Sequence, residues 1–315
     1  MFATKQIHPL PDWKLVSTCA CLWTLVAALG TANGQITPPS DAGAAPDREI
    51  ADQPSFIRVA RDEKDEPLAL EVAITRYVRA NRQGQKVVLD LVGAVHVADR
   101  SYFDELNKLF VEYDAVLYEL VAPEGTRIPR GGGRGSSGVS VLQSGLVDLL
   151  DLDFQLERID YEKENLVHAD MSPDEFAKSM KDRGESVVQM ILNVLSKSVA
   201  RQSQPAEAPT EVDLFAALFA PDRASRLKRI LAEQFADIEV MLAVFSGPQG
   251  STLLTERNKK ALRVLDREIK AGKQQLAIFY GCGHIPDLHD RLLDEFGFEL
   301  RSQKWIVAWD LQRVD

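Results

Sequence analysis

The chain has 315 residues, 45% of them hydrophobic, enough to bury a sizeable core in one domain or in one domain with an insertion. Acidic residues number 47 and basic ones 37, for a net charge of −10. That balance disfavours nucleic acid as a partner, because phosphate binding needs a basic face, and it weakens attraction to an anionic lipid surface.

Residues 1–34 read as a signal peptide or an N-terminal anchor. Lys5 and Lys14 precede an apolar run, Leu15 to Leu29, and the small residues Gly30, Ala32 and Gly34 follow it. A charged start, a short apolar stretch and small residues are the pattern of an export signal. The run falls short of the ~20 apolar residues that a spanning helix needs. The long charged start and Asp12 leave an uncleaved anchor open. The remainder is expected to be exported, to the periplasm or cell envelope or outside the cell, with membrane contact confined to this segment. Cleavage would leave Cys282 as the one cysteine, so no intrachain disulfide could form. Residues 35–55 are rich in Pro, Ala, Asp and Gly and read as a disordered linker.

The folded domain is expected over 56–315. Leu68–Val78 and Lys86–Val92 predict two strands, with Ala80–Gln85 as the turn. Asp99–Glu112 has helical spacing through Tyr102, Leu106, Leu109 and Phe110, and Ala115–Tyr118 predicts a strand ending at Glu119. This strand–helix–strand order predicts a crossover with parallel pairing. The run Gly131–Gly138 lacks the lysine and spacing of a P-loop and reads as a flexible loop or lid.

Helices are predicted over Val139–Leu152, from Pro173 towards Ala200, over Asp222–Phe245 and over Thr252–Lys270. Ser172-Pro173-Asp174-Glu175 is a capping box with proline in the first turn. Gln202–Thr210 reads as a linker. Gln275–Tyr280 predicts a strand, Asp287–Phe296 a helix, and Phe298–Leu300 and Trp305–Trp309 two closing strands. The fold class is α+β, a mixed α/β domain. Its mixed sheet comes from both ends of the chain, and a helical insertion at about 139–272 covers it.

One pattern occurs twice: an apolar strand, Gly-x-x-His, then x-x-Asp and a helix. The first copy is Gly93-Ala94-Val95-His96 with Asp99, the second Gly281-Cys282-Gly283-His284 with Asp287. A glycine at a strand end lets the backbone turn sharply. Two such units in one sheet can aim His96 and His284 at one point, which suits a metal ion or acid–base chemistry. Asp99 and Asp287 either cap the next helix or fix the second ring nitrogen. Glu119 either completes an open metal site with the two imidazoles or points into solvent.

Arg257 and Asn258 lie on a predicted helix. Arg257 can orient Glu119 or hold a substrate carboxylate, and Asn258 can polarise a carbonyl or position water. Their charged neighbours Glu256, Lys259 and Lys260 equally suit an ordinary helix surface. His168 and Asp170 either line the same cleft or hydrogen-bond at a strand end. His289 reads as solvated and Cys282 as a small inward-facing hydrophobe. There is no Gly-x-Ser-x-Gly elbow, His-Glu-x-x-His helix, Cys-x-x-Cys pair or dinucleotide fingerprint.

Three places together resemble the TraB/GumN family, which includes the PrgY pheromone-shutdown proteins and the Tiki metalloproteases. They are Leu91–Val97 with a strand ending in Glu119, Glu256-Arg257-Asn258, and Gly281–His284 followed by Phe296–Leu300. The resemblance implies both Gly-x-x-His motifs at one cleft and a divalent metal ion (Mn, Co or Zn) on His96, Glu119 and His284. Arg257 and Asn258 would support them. The implied activity is that of an exported metal-dependent hydrolase, a peptidase above all, acting on a peptide or small-molecule substrate. The alternatives are an envelope protein that sequesters a ligand in the same cleft, and an interaction protein with structural histidines. The glycine-rich run and the 202–210 linker depart from the simplest family pattern.

Overall fold

The computed structural model describes residues 54–82, 84–126, 128, 150–185, 222–244 and 250–312. The export segment, nearly all of the linker, the glycine run, the body of the helix expected at 139–152 and the 202–210 linker lie outside them. Among the described residues no helix is long and apolar enough to cross a membrane.

A seven-stranded mixed sheet organises the domain. Its longest strand, β2 (Pro67–Ala80), pairs antiparallel along one edge with β9 (Glu299–Asp310). Along the other edge lie β1 (Ile57–Arg61) and β3 (Lys86–Ala94), end to end and both antiparallel to it. From β3 the sheet continues in parallel through β8 (Gln275–Gly281) and β5 (Ala115–Tyr118) to β7 (Leu166–His168). The predicted crossover thus joins β3 to β5 with β8 inserted between them.

Beyond their exposed first residues, β3 and β8 are buried throughout, which explains their unbroken apolar character. Asp90 interrupts that run in β3. Its carboxylate takes two hydrogen bonds from Arg76 and one from Tyr113, so the buried charge is paired.

Helices cover both faces. On one, α1 (Arg100–Leu109) sets Tyr102, Phe103 and Leu106 against Val92, Val116 and Phe279, and α4 (Arg223–Val244) adds Leu227 and Ala232. On the other, α5 (Arg257–Lys270) and α6 (Ile285–Asp294) set Ala261, Leu265, Leu288 and Leu292 against Leu89, Leu91, Leu117 and Ile278. The result is a mixed α/β sandwich, with the sheet built from both ends of the chain.

Several expectations need correction. The helix α3 (Pro173–Asp182) has the predicted capping box and ends at Asp182, while residues 186–200 of the helix expected towards Ala200 lie outside the described ones. Gly184 follows with φ of +65°, a left-handed conformation that ends a helix. The two closing strands are one continuous strand, β9. The stretch 139–272 is more than an insertion, since it contributes β7 to the sheet and α5 to a face. A two-stranded ribbon of β4 (Val97–Ala98) and β6 (Asp153–Phe154), followed by the short helix α2 (Gln155–Arg158), was not legible in the sequence.

Candidate active site

Three neighbouring parallel strands, β3, β8 and β5, end at one edge of the sheet. Ala94 pairs with Gly281 and Tyr118 with Phe279, so the segments carrying His96, His284 and Glu119 emerge side by side. The carboxyl ends of parallel strands are the usual ligand-binding edge of such sheets. A methyl group placed on Gly281 would lie 3.2 Å from Glu119 Oε2, 3.6 Å from His96 Nε2 and 3.8 Å from His284 Cδ2. The three side chains therefore meet around one glycine.

Neither motif glycine has a positive φ. Their role is room rather than backbone freedom. At Gly281 a side chain would enter the cleft. At Gly93 a methyl would sit 2.9 Å from Cys282 Sγ, so the motifs pack too closely for a larger residue. Cys282 faces inward and is buried.

Arg257 is the hub. Its Nη2 donates to Glu119 Oε1 at 2.6 Å and to Asp170 Oδ2 at 2.6 Å, and its Nε donates to Asp170 Oδ1 at 3.0 Å. A π-type turn over Thr252–Glu256 leads into α5, and Leu253 C=O accepts from Arg257 Nη1. Irregular turns of this kind are frequent at functional sites. The side chains of Arg257, Glu119 and Asp170 are 4%, 12% and 0% exposed. Glu119 Oε2 also accepts from the Gly281 N–H at 2.7 Å. Burial pushes the Glu119 carboxyl up, but Arg257, then His284 and His96, outweigh it and hold the group well below the usual carboxylate range.

His284 is fixed by one neighbour. Asn258 Nδ2 donates to the His284 carbonyl at 3.1 Å and to Asp287 at 2.8 Å, which turns Asn258 Oδ1 towards His284 Nδ1 at 2.7 Å. The Nδ1 atom must then carry a proton, and in the neutral ring the lone pair lies on Nε2. That nitrogen is 3.4 Å from Arg257 Nη1 and 3.5 Å from Glu119 Oε1. Tyr280 packs edge-on against the His284 ring and donates its hydroxyl to Ala169 C=O. Burial, then the Asp170 and Glu119 charges, raise that phenol well above its ordinary value.

His96 is only partly buried. Its Nδ1 lies 2.9 Å from Gln155 Oε1, while Gln155 Nε2 donates to the Tyr161 hydroxyl at 2.8 Å. Sequence reasoning missed both partners. No local pattern marks Gln155, which only the β4–β6 ribbon brings to the motif.

The other expected residues have different duties. Asn258 is fully buried and its amide is committed to His284 and Asp287, so it orients the imidazole rather than facing a substrate. Asp287 acts one step further out, holding Asn258 and Arg291. Asp99 stands at the N-cap position of α1 without a side-chain cap bond. It pairs instead with buried Lys228 of α4 and accepts from the Asp310 N–H. His168 bonds the Leu120 carbonyl at 2.6 Å, a strand-end role, whereas Asp170 belongs to the Arg257 cluster. His289, expected in solvent, is buried with Nδ1 2.6 Å from the Tyr77 hydroxyl.

Among the described residues, no three His, Cys, Asp or Glu side chains form a ready-made metal cage. The donors suit a divalent cation in part. Two imidazoles approach with their Nδ1 atoms already bonded elsewhere, but the Glu119 carboxylate is shared with Arg257. Comparison with family models, with curated proteins and with solved structures finds no match to this chain.

Proposed function

We propose that this is an exported hydrolase of the TraB/GumN type, a peptidase above all, working at the His96–Glu119–His284 cleft. The observation that carries the reading is the meeting of His96 Nε2, Glu119 Oε2 and the His284 ring around Gly281. A divalent cation (Mn, Co or Zn) would be held by His96, His284 and Glu119, and when bound it would polarise a carbonyl and lower the pKa of water. Arg257 keeps Glu119 ionised and pointed into the cleft. Because Arg257 is also paired with Asp170, Glu119 can turn away without stranding a buried guanidinium. Asn258 holds His284 in register, and the partly exposed His96 marks the side open to substrate.

Elemental analysis of the purified chain, beside peptide cleavage by His96→Ala, His284→Ala and the double variant, tests this. Bound metal and cleavage that both disappear in the variants support it. Undiminished cleavage in the double variant sinks it. The engagement of Glu119 by Arg257 favours a second reading, an envelope protein that sequesters a peptide or other ligand without turnover. Recovery of intact ligand after stoichiometric binding would favour that reading over the first.

A further inference from the structure

Resting on that reading of the cleft, the geometry points to Gln155 as the positioning residue for His96, with the Tyr161 hydroxyl setting its direction. Gln155 grips the histidine twice. Its backbone N–H donates to the His96 carbonyl at 2.9 Å, and its side-chain oxygen faces His96 Nδ1 at 2.9 Å. Asn258 grips His284 in the same two places, the carbonyl and Nδ1. Two carboxamides from unrelated parts of the chain thus hold two histidines alike.

The consequence is a matched pair of rings. An amide oxygen on Nδ1 selects the tautomer with the proton there and the lone pair on Nε2, the atom that faces Gly281 in His96. For His284 the choice is forced, because the Asn258 amide nitrogen donates to a carbonyl and a carboxylate. For His96 it depends on Tyr161. While that hydroxyl accepts from Gln155 Nε2, the Gln155 oxygen stays on the ring. Were the amide to turn over, its nitrogen would donate to Nδ1 and the His96 proton would move to Nε2. Tyr161 is buried and packs edge-on against Tyr118, so the hydroxyl is held in place.

Long-range proton–nitrogen NMR of the full chain labelled with 15N-histidine tests this directly. Both His96 and His284 are expected as the Nδ1–H form. Gln155→Leu should cost His96 that form and leave His284 unchanged, while Gln155→Glu, which still offers an oxygen, should keep it. Tyr161→Phe should give His96 a mixture. An Nε2–H signal for His96 in the unaltered chain, or a His96 signal indifferent to both Gln155→Leu and Tyr161→Phe, overturns the proposal. Should Gln155→Leu fail to fold, the unaltered chain and Tyr161→Phe decide. The signals do not depend on turnover, so an inactive protein with matched tautomers would sink the hydrolase and spare the Gln155 assignment.

Discussion

The Gly281 N–H donates to Glu119 Oε2, tying the second Gly-x-x-His motif to the carboxylate at the end of the neighbouring strand. The bond needs the backbone of one partner and the side chain of the other. Gly281→Ala keeps the N–H but places a methyl 3.2 Å from the same oxygen. We expect a folded protein whose stability falls by no more than about 1–3 kcal/mol, with cleft function reduced further than stability. Thermal melts beside cleavage assays would show the difference, and equal losses would count against it.

Gly93 and Cys282 form a second tight contact, between the two motifs. Gly93→Ala should destabilise by about 1–3 kcal/mol, the range for an overpacked core. Cys282→Ala removes the sulfur that the new methyl would strike. The double variant should therefore be more stable than the sum of the single changes predicts. Denaturant unfolding of all three variants measures the coupling, and simple additivity would refute the contact.

Arg257→Met should leave two buried carboxylates without their shared cation, at a cost of about 3–5 kcal/mol. Arg257→Lys should recover only part of it, because an ammonium lacks the planar fork that reaches both acids. The pH dependence follows from Glu119. Its folded pKa is depressed, so the unfolded chain binds its proton first on acidification. The stabilisation is complete above the ordinary carboxyl value of 4.5 and is lost as pH falls below it towards the folded value. Glu119→Gln should flatten stability between pH 5 and the acid limit of folding, relative to the unaltered chain.

His289 should give a separate pH signature at milder acidity. Burial lowers its pKa below the ordinary imidazole value of 6.5, against the opposing pull of Asp290 and Asp294. The unfolded chain therefore takes up the proton first, and stability declines as pH falls from about 6.5 through the folded value. His289→Gln, which can still accept from Tyr77, should weaken that slope. An unchanged slope would mean that the ring is not held neutral in the fold.

Lys228 and Asp99 form a buried pair joining α4 to the start of α1 and, through the Asp310 N–H, to β9. Lys228→Met should cost about 3–5 kcal/mol by stranding the carboxylate. Adding Asp99→Asn should restore part of that loss, since a neutral amide is cheaper to bury. A double variant no better than Lys228→Met would argue against a charge effect.

The elements legible in the sequence are those whose signal is local. β3 and β8 announce themselves because both faces are covered and the apolar run is unbroken. The capping box at Ser172 marks the start of α3, but its end rests on one left-handed glycine. His96 and His284 stand out because their motif repeats, and Glu119 because it closes a short apolar strand. Gln155 was hidden because it lies 59 residues from its histidine and heads a four-residue helix directly behind a two-residue strand. His289 was misjudged because its helix neighbours are acidic, whereas Tyr77 and Phe56, which enclose it, come from the far end of the chain.

The place of β8 has a consequence for biogenesis. The strand lies between β3 and β5, yet it is made long after both, so the middle of the sheet stays open until residues 275–281 have been synthesised. A nascent chain stalled before that point holds His96 and Glu119 on strands with no bridge between them and lacks His284 altogether. Whatever this cleft does, it cannot begin on the ribosome until β8 and the His284 turn behind it have emerged.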